Sequence, residues 1–176
     1  MIFVLGELHL KPTYGFVAGY DYLSGDKYFA VPPHGSIGLV PHDVIRGFNP
    51  IYGSHHQFYG AMDFFYMSTY VNGFTPGLQN AFVGGYVKPL KDLNVGVEYH
   101  YYAMSTTLPD MDKTLGHDFE LKANYRFMKD VTISAGISYM IGTETMERLK
   151  RATDEGSLGW GWLSLNITPK IFTTKW

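Results

Sequence analysis

The sequence predicts an all-β protein whose antiparallel strands follow one another up and down in chain order. Three observations carry this expectation: period-two alternation of apolar and polar residues, alternation of short and long connections, and a composition of 14 Tyr, 12 Phe, 20 Gly and no Cys in 176 residues. Side chains of a strand point to opposite faces with period two, whereas a helix would spread that pattern around its circumference. Aromatic residues suit a pleated surface, and a chain without Cys has neither disulfide staples nor thiolate metal centres.

The first strand is expected at once, with Ile2, Val4, Leu8 and Leu10 on one face and Glu7 and His9 on the other, ending at the turn Lys11-Pro12-Thr13. In the second, Phe16, Ala18, Tyr20 and Tyr22 alternate with Gly15, Val17, Gly19 and Asp21. The stretch 78–88 is a weaker strand, because both faces carry apolar residues and Gly84-Gly85 blur its register. From residue 93, Leu93, Val95, Val97, Tyr99 and Tyr101 oppose Asn94, Gly96, Glu98, His100 and Tyr102. The pattern is strictest in 117–127, where Phe119, Leu121, Ala123, Tyr125 and Phe127 alternate with Asp118, Glu120, Lys122, Asn124 and Arg126. Segment 131–141 repeats it, and Leu163, Leu165 and Ile167 against Ser164, Asn166 and Thr168 form the last strand.

The connections sort by length. KPT, KPLKD and FMKD are short, whereas 103–117 and 142–158 are long and polar. Tight turns on one rim and long loops on the other are the pattern of an up-and-down transmembrane barrel. Counting crossings back from the end, everything from 24 to 77 falls on the long-loop side. It is therefore expected as one large folded external loop with a short helix near Ala61 to Met67, and the run 58–70 is not a wall strand. About seven wall strands result. Single-chain bacterial barrels have even numbers and isolated sheets leave open edges, so the chain is expected to be the carboxyl-terminal part of a larger barrel, residues 1–176 of it. MIFVLGELHLKP has no ordered export signal, which supports the same expectation.

Composition excludes some functions. A formal net charge of -2 and a pI near 6.4 offer nothing to nucleic acid. No run reaches the roughly eighteen apolar residues of a membrane helix, so a membrane role must use strands. The chain ends on Trp176, as a closing barrel strand does, and aromatic residues near strand ends at Tyr99–Tyr102 and Trp160–Trp162 fit an interfacial belt.

GYDYLSGD (19–26), FNPIYGSHHQFYGAMDFF (48–65), GLQNAFVGGYVKP (77–89), VGVEYHYY (95–102) and LGHDFELKANYRF (115–127) resemble, in order, successive blocks of the alginate-export porin family. The resemblance implies a monomeric β-barrel of the bacterial outer membrane with a charged lumen that passes an anionic polysaccharide. It implies as partners membrane lipid, a hydrophilic solute or polysaccharide, and the barrel assembly machinery, engaged through the strand ending at Trp176. The expected pore-lining residues, Glu98, His100, Asp118, Glu120, Lys122 and Arg126, mix both signs, so the architecture is expected without a strongly basic lumen. Lys122 and Arg126 are suited to attract a carboxylate while Glu98, Asp118 and Glu120 hold them by cross-strand pairing. The plainer possibility is that these charges neutralise one another and stiffen the wall.

No catalytic residue, cofactor or metal is expected. His34, His42-Asp43, His55-His56 and Asp63 lack a ligand spacing, the triple Ser54, His55 and Asp63 lacks a GxSxG elbow, and FVGGYV and GWGW lack the order of a phosphate loop. TETMERLKRATDEG (143–156) reads as one or two solvated helical turns, with Glu147 paired to Lys150 or Arg151. Two alternatives stand beside the porin: an outer-membrane barrel enzyme with its site in the 24–77 loop, and a soluble β-barrel or sandwich binder whose apolar face is an interior.

Overall fold

The computed structural model describes residues 2–26, 47–48, 59–65, 75–108, 110–150 and 156–169. Seven strands follow in order: β1 (Ile2–Lys11), β2 (Tyr14–Leu23), β3 (Leu78–Leu90), β4 (Leu93–Ala103), β5 (Thr114–Met128), β6 (Val131–Gly142) and β7 (Ser157–Ile167). One helix, α1 (Glu144–Lys150), lies between β6 and β7. Each strand pairs antiparallel with its sequence neighbour in a single sheet of order β1 to β7. β1 and β7 do not pair with each other, so the sheet is open.

The weak candidate at 78–88 is a full strand. Its register runs unbroken from Leu78 to Val87 against β2 and from Gln79 to Val87 against β4, so Gly84 and Gly85 do not interrupt the ladder. They admit larger neighbours instead: a Cβ on Gly84 would stand 2.7 Å from Glu98 Cγ. Register shifts fall at the turn ends, between His9 and Lys11, Val87 and Leu90, and Arg126 and Met128, with a fourth between Tyr102 and Ala103.

Because the pairing is regular across seven strands, side chains gather in rows that cross the whole sheet. One row reads Leu8, Phe16, Gly85, Val97, Leu121, Ile137 and Gly161; the next reads Glu7, Val17, Gly84, Glu98, Glu120, Ser138 and Trp160, on the opposite face. The first face is apolar from edge to edge and bare. Phe119, Leu121 and Tyr125 are 48%, 41% and 42% exposed, and among the described residues neither a second sheet nor a helix covers them. An open apolar surface of this extent marks a contact with something other than water.

The packed core lies on the other face, at the long-connection end. Leu23, Tyr59, Phe65, Leu78, Tyr102, Met104, Leu108, Leu115, Met140, Met146 and Leu149 form it. Here two expectations are corrected. Tyr59–Phe65, one described stretch of the 24–77 connection, packs onto the polar face at this end, and Ala61–Phe65 form turns instead of the expected helix. Met67 lies outside the described residues. The base of that connection is closed by buried Asp26, whose carboxylate accepts from the backbone N–H of Gly47 at 2.7 Å and of Thr75 at 3.1 Å.

Nor is α1 a solvated face. Thr145, Met146 and Leu149 are buried, because their spacing puts them on one helix face, toward β5 and β6. Thr143 caps the helix, accepting at Oγ1 from the Met146 N–H at 3.4 Å, with Glu144 and Glu147 in the first turn and Arg148 and Lys150 in the last. Glu147 accepts from the Gly156 N–H at 3.2 Å instead of pairing with Lys150.

Candidate functional site

Antiparallel register brings the charged side chains of β4 and β5 together. Glu98 faces Glu120 and His100 faces Asp118 across the β4–β5 ladder, while Lys122 stands between Gly96 and Gly136. The Lys122 ammonium lies 2.6 Å from Glu120 Oε2 and 3.7 Å from Glu98 Oε2. Like charges placed directly opposite would repel. The lysine from the next row resolves that conflict by reaching back between the two carboxylates.

The other Glu120 oxygen, Oε1, accepts the backbone N–H of Ala61 and lies 3.9 Å from His100 Nε2. His100 Nδ1 meets Asn80 Oδ1 at 3.0 Å, and Asn80 donates on to Asp21 Oδ2 at 2.8 Å, so a polar chain runs from β5 to β2. The imidazole is stacked between Phe82, with centroids 5.4 Å apart, and Tyr102, at 5.6 Å and only 8° between planes. A hollow of about 150 Å³ opens beside this cluster, bounded by Val17, Tyr86, Gly96, Glu98, Glu120 and Lys122.

Of the six residues expected to line the pore, the structure brings five, Glu98, His100, Asp118, Glu120 and Lys122, into one patch of the polar face. Three of them, His100, Asp118 and Glu120, are buried beneath the Tyr59–Phe65 turns, not presented to solvent. Arg126 is apart from them. It sits near the short turn after β3, 3.8 Å from Asp92, in an exposed pair. Asn80, Asp21 and the Ala61 N–H belong to the network without any local sequence signal, since only long-range pairing brings them there.

Glu98, His100 and Glu120 place one ligand atom each within 4.8 Å of one another. The Lys122 ammonium already stands between the two carboxylates of that group, 2.6 Å from Glu120 and 3.7 Å from Glu98. The histidines, serine and aspartate at 34, 42, 43, 54, 55 and 56 lie outside the described residues, and Asp63 is in a turn with φ 53°.

Trp160 and Trp162 correct the expected aromatic belt. They face Ser138 and Gly136 and so lie on the polar face. The parity of Leu163, Leu165 and Ile167 was the signal for this, because it assigns even positions of β7 to the opposite side. On the apolar face, besides Phe16, Phe119, Tyr125 and Tyr139, three tyrosines, Tyr20, Tyr99 and Tyr101, lie toward the long-connection end. Their hydroxyls are tied down: Tyr20 donates to Gln79 Oε1 at 2.6 Å, Tyr99 meets His117 Nδ1 at 2.8 Å and Tyr101 meets Thr114 Oγ1 at 3.0 Å.

Lys150 anchors α1 to the folded-back turns, donating to the Phe64 carbonyl at 2.7 Å with its ammonium 4.6 Å above the Phe64 ring. Burial pushes its amine down from 10.5 to about 8. Below pH 10.5 the unfolded chain then binds more protons than the folded one, so this residue's unfavourable contribution grows as pH falls from 10.5 to about 8 and is constant below. Hydrogen exchange of the α1 amides is expected to show greater protection as pH rises through that window, after correction for intrinsic exchange, and Lys150→Met should flatten the profile. An identical profile in both proteins would contradict the assignment.

Comparison with protein-family models, characterised proteins and solved structures returns no match.

Proposed function

We propose that the chain is the carboxyl-terminal part of a bacterial outer-membrane β-barrel, a porin-type channel that passes small or polymeric hydrophilic solutes along its charged face. One observation carries this reading: an uncovered apolar face continuous over seven strands, backed by a face holding a hydrogen-bonded charge cluster. Lipid hydrocarbon accepts the first face and water the second. Strands of 10 to 15 residues are long enough to cross a bilayer at a tilt, and no described helix is long and apolar enough to do so. The Tyr20, Tyr99 and Tyr101 cluster suits the headgroup level, where one end of a ring is apolar and the other wet. The resemblance to alginate-export porins points the same way, and no catalytic role is assigned.

Strand direction bears on how such a sheet would close. With seven strands running alternately up and down, β1 and β7 run in the same direction. Two copies inserted side by side in one orientation would therefore meet β7 to β1 in parallel. Antiparallel closure takes an odd number of further strands, which favours completion by additional strands of a longer chain over a symmetric pair, with the carboxyl-terminal stretch that includes Trp176 recognised by the assembly machinery.

Leu121→Lys tests the medium outside the apolar face. In a membrane wall it is expected to cost about 2–4 kcal/mol and to block insertion into liposomes, while Ser134→Lys on the opposite face should insert nearly as well as the parent. Both are read by flotation with vesicles and by urea unfolding in detergent. A parent chain that stays monomeric in plain buffer would replace this reading with a soluble binder.

A further inference from the structure

Trp160 and Trp162 project from β7 onto the polar face with ring centroids 6.5 Å apart and 38° between planes. Opposite Trp162 is Gly136, and a Cβ there would stand 2.5 Å from the indole Nε1, 2.7 Å from Cε2 and 3.0 Å from Cζ2. The indole therefore occupies space over the β6 backbone that only glycine leaves, and both indoles are half-buried.

Beyond Trp162, toward the short-turn rim, β6 and β7 carry no charged side chain on this face. Ser134 faces Ser164 and Thr132 faces Asn166, forming a lane of hydroxyls and carboxamides along β6 and β7. Ser134 Oγ donates to Asn124 Oδ1 at 2.7 Å, extending the lane onto β5. The polar face of β4–β7 has two basic side chains, Lys122 and Arg126, and each is engaged by carboxylates: Lys122 by Glu98 and Glu120, Arg126 by Asp92. Next to Trp160 and Trp162, two carboxylates thus stand against one ammonium. A polyanion would be repelled there.

Flat indole faces pack against the apolar C–H faces of a pyranose ring, while hydroxyls and amides exchange hydrogen bonds with its equatorial hydroxyls. We infer that Trp160 and Trp162 form a stacking platform for an uncharged oligosaccharide, which the Ser and Asn lane of β5–β7 guides by hydrogen bonding. The inference rests on the channel reading, since it takes the polar face to be the wall of an aqueous passage, and it narrows the solute to neutral sugar chains.

The test is calorimetric titration of the full chain, folded in detergent micelles, with cellohexaose as the neutral probe and an oligouronate of equal length as the anionic one. Saturable heat is expected with cellohexaose and a weaker response with the uronate. Trp162→Leu should weaken cellohexaose binding about ten-fold, the effect of losing one stacked ring, whereas Trp162→Phe should retain most of it. Gly136→Ala keeps every tryptophan but lifts the indole off the wall, and is expected to weaken binding several-fold even if Trp162→Leu does not fold. No saturable heat with cellohexaose, tighter binding of the uronate, or wild-type affinity in both Trp162→Leu and Gly136→Ala would overturn the platform. Vesicle flotation of the same preparation separates the two ideas: a chain that inserts but ignores sugar loses the platform alone, and one that does not insert loses the channel.

Discussion

Replacing Lys122 by Met is expected to lower the unfolding free energy by about 2–3 kcal/mol, the larger of the electrostatic effects available in this sheet. The ammonium is what permits Glu98 and Glu120 to face one another across β4 and β5, and the Glu120 side chain is only 1% exposed. Without it, a buried carboxylate keeps a like charge opposite and no cation near. Loss of one member of a fully buried pair costs about 3–5 kcal/mol, but Lys122 and Glu98 side chains are 34% and 29% exposed, so water screens part of the repulsion. Glu120→Gln added to Lys122→Met should restore more than half of the loss, because the amide still accepts the Ala61 N–H while removing the repulsion. Urea unfolding of the four proteins in the same detergent measures the cycle. A Lys122→Met variant as stable as its parent would show that the cluster does not depend on its cation. Arg126→Met, by contrast, removes an exposed pair at 3.8 Å and is expected to change stability by less than about 0.5 kcal/mol.

Tyr102→Ala is expected to release the folded-back turns. The ring is 1% exposed, packs on Phe65 with centroids 4.3 Å apart, and stacks on His100 from the other side. Truncating a buried aromatic of this size costs about 3–5 kcal/mol. Much of that cost should appear locally, because the contact to Phe65 joins the Tyr59–Phe65 segment to the sheet, and the sheet itself is held by its ladders. The measurement is limited proteolysis, with faster cleavage between 59 and 65 as the segment leaves the polar face. Tyr102→Phe is the control. The hydroxyl is buried with no hydrogen-bond partner among the described residues, so its removal should be neutral or slightly stabilising. Gly60 is held to the same contact: at φ +86° it brings the backbone so close that a Cβ would come 2.2 Å from the Tyr102 hydroxyl. Equal proteolysis of Tyr102→Ala and parent would mean that the turns are held elsewhere.

What the sequence determined by itself was the set of strands, their order and the two chemically distinct faces. Alternation at Phe119, Leu121, Ala123, Tyr125 and Phe127 against Asp118, Glu120, Lys122, Asn124 and Arg126 needs no partner to be read, because it follows from the geometry of one extended chain. Even the doubtful 78–88 strand was recoverable from its place between short and long connections. Only the tertiary structure decided which charges meet. The Lys122 position between Glu98 and Glu120, and the link from His100 through Asn80 to Asp21, depend on the register of strands that are distant in sequence. The packing of Tyr59–Phe65 onto the polar face had no periodic signature, and the i, i+3 spacing of Met146 and Leu149 defines a helix face without saying what it packs on, since both rest on apolar contacts made after the sheet exists. Local periodicity records which way a side chain points; it holds no information about what another strand will place opposite, and that is where the candidate site lies.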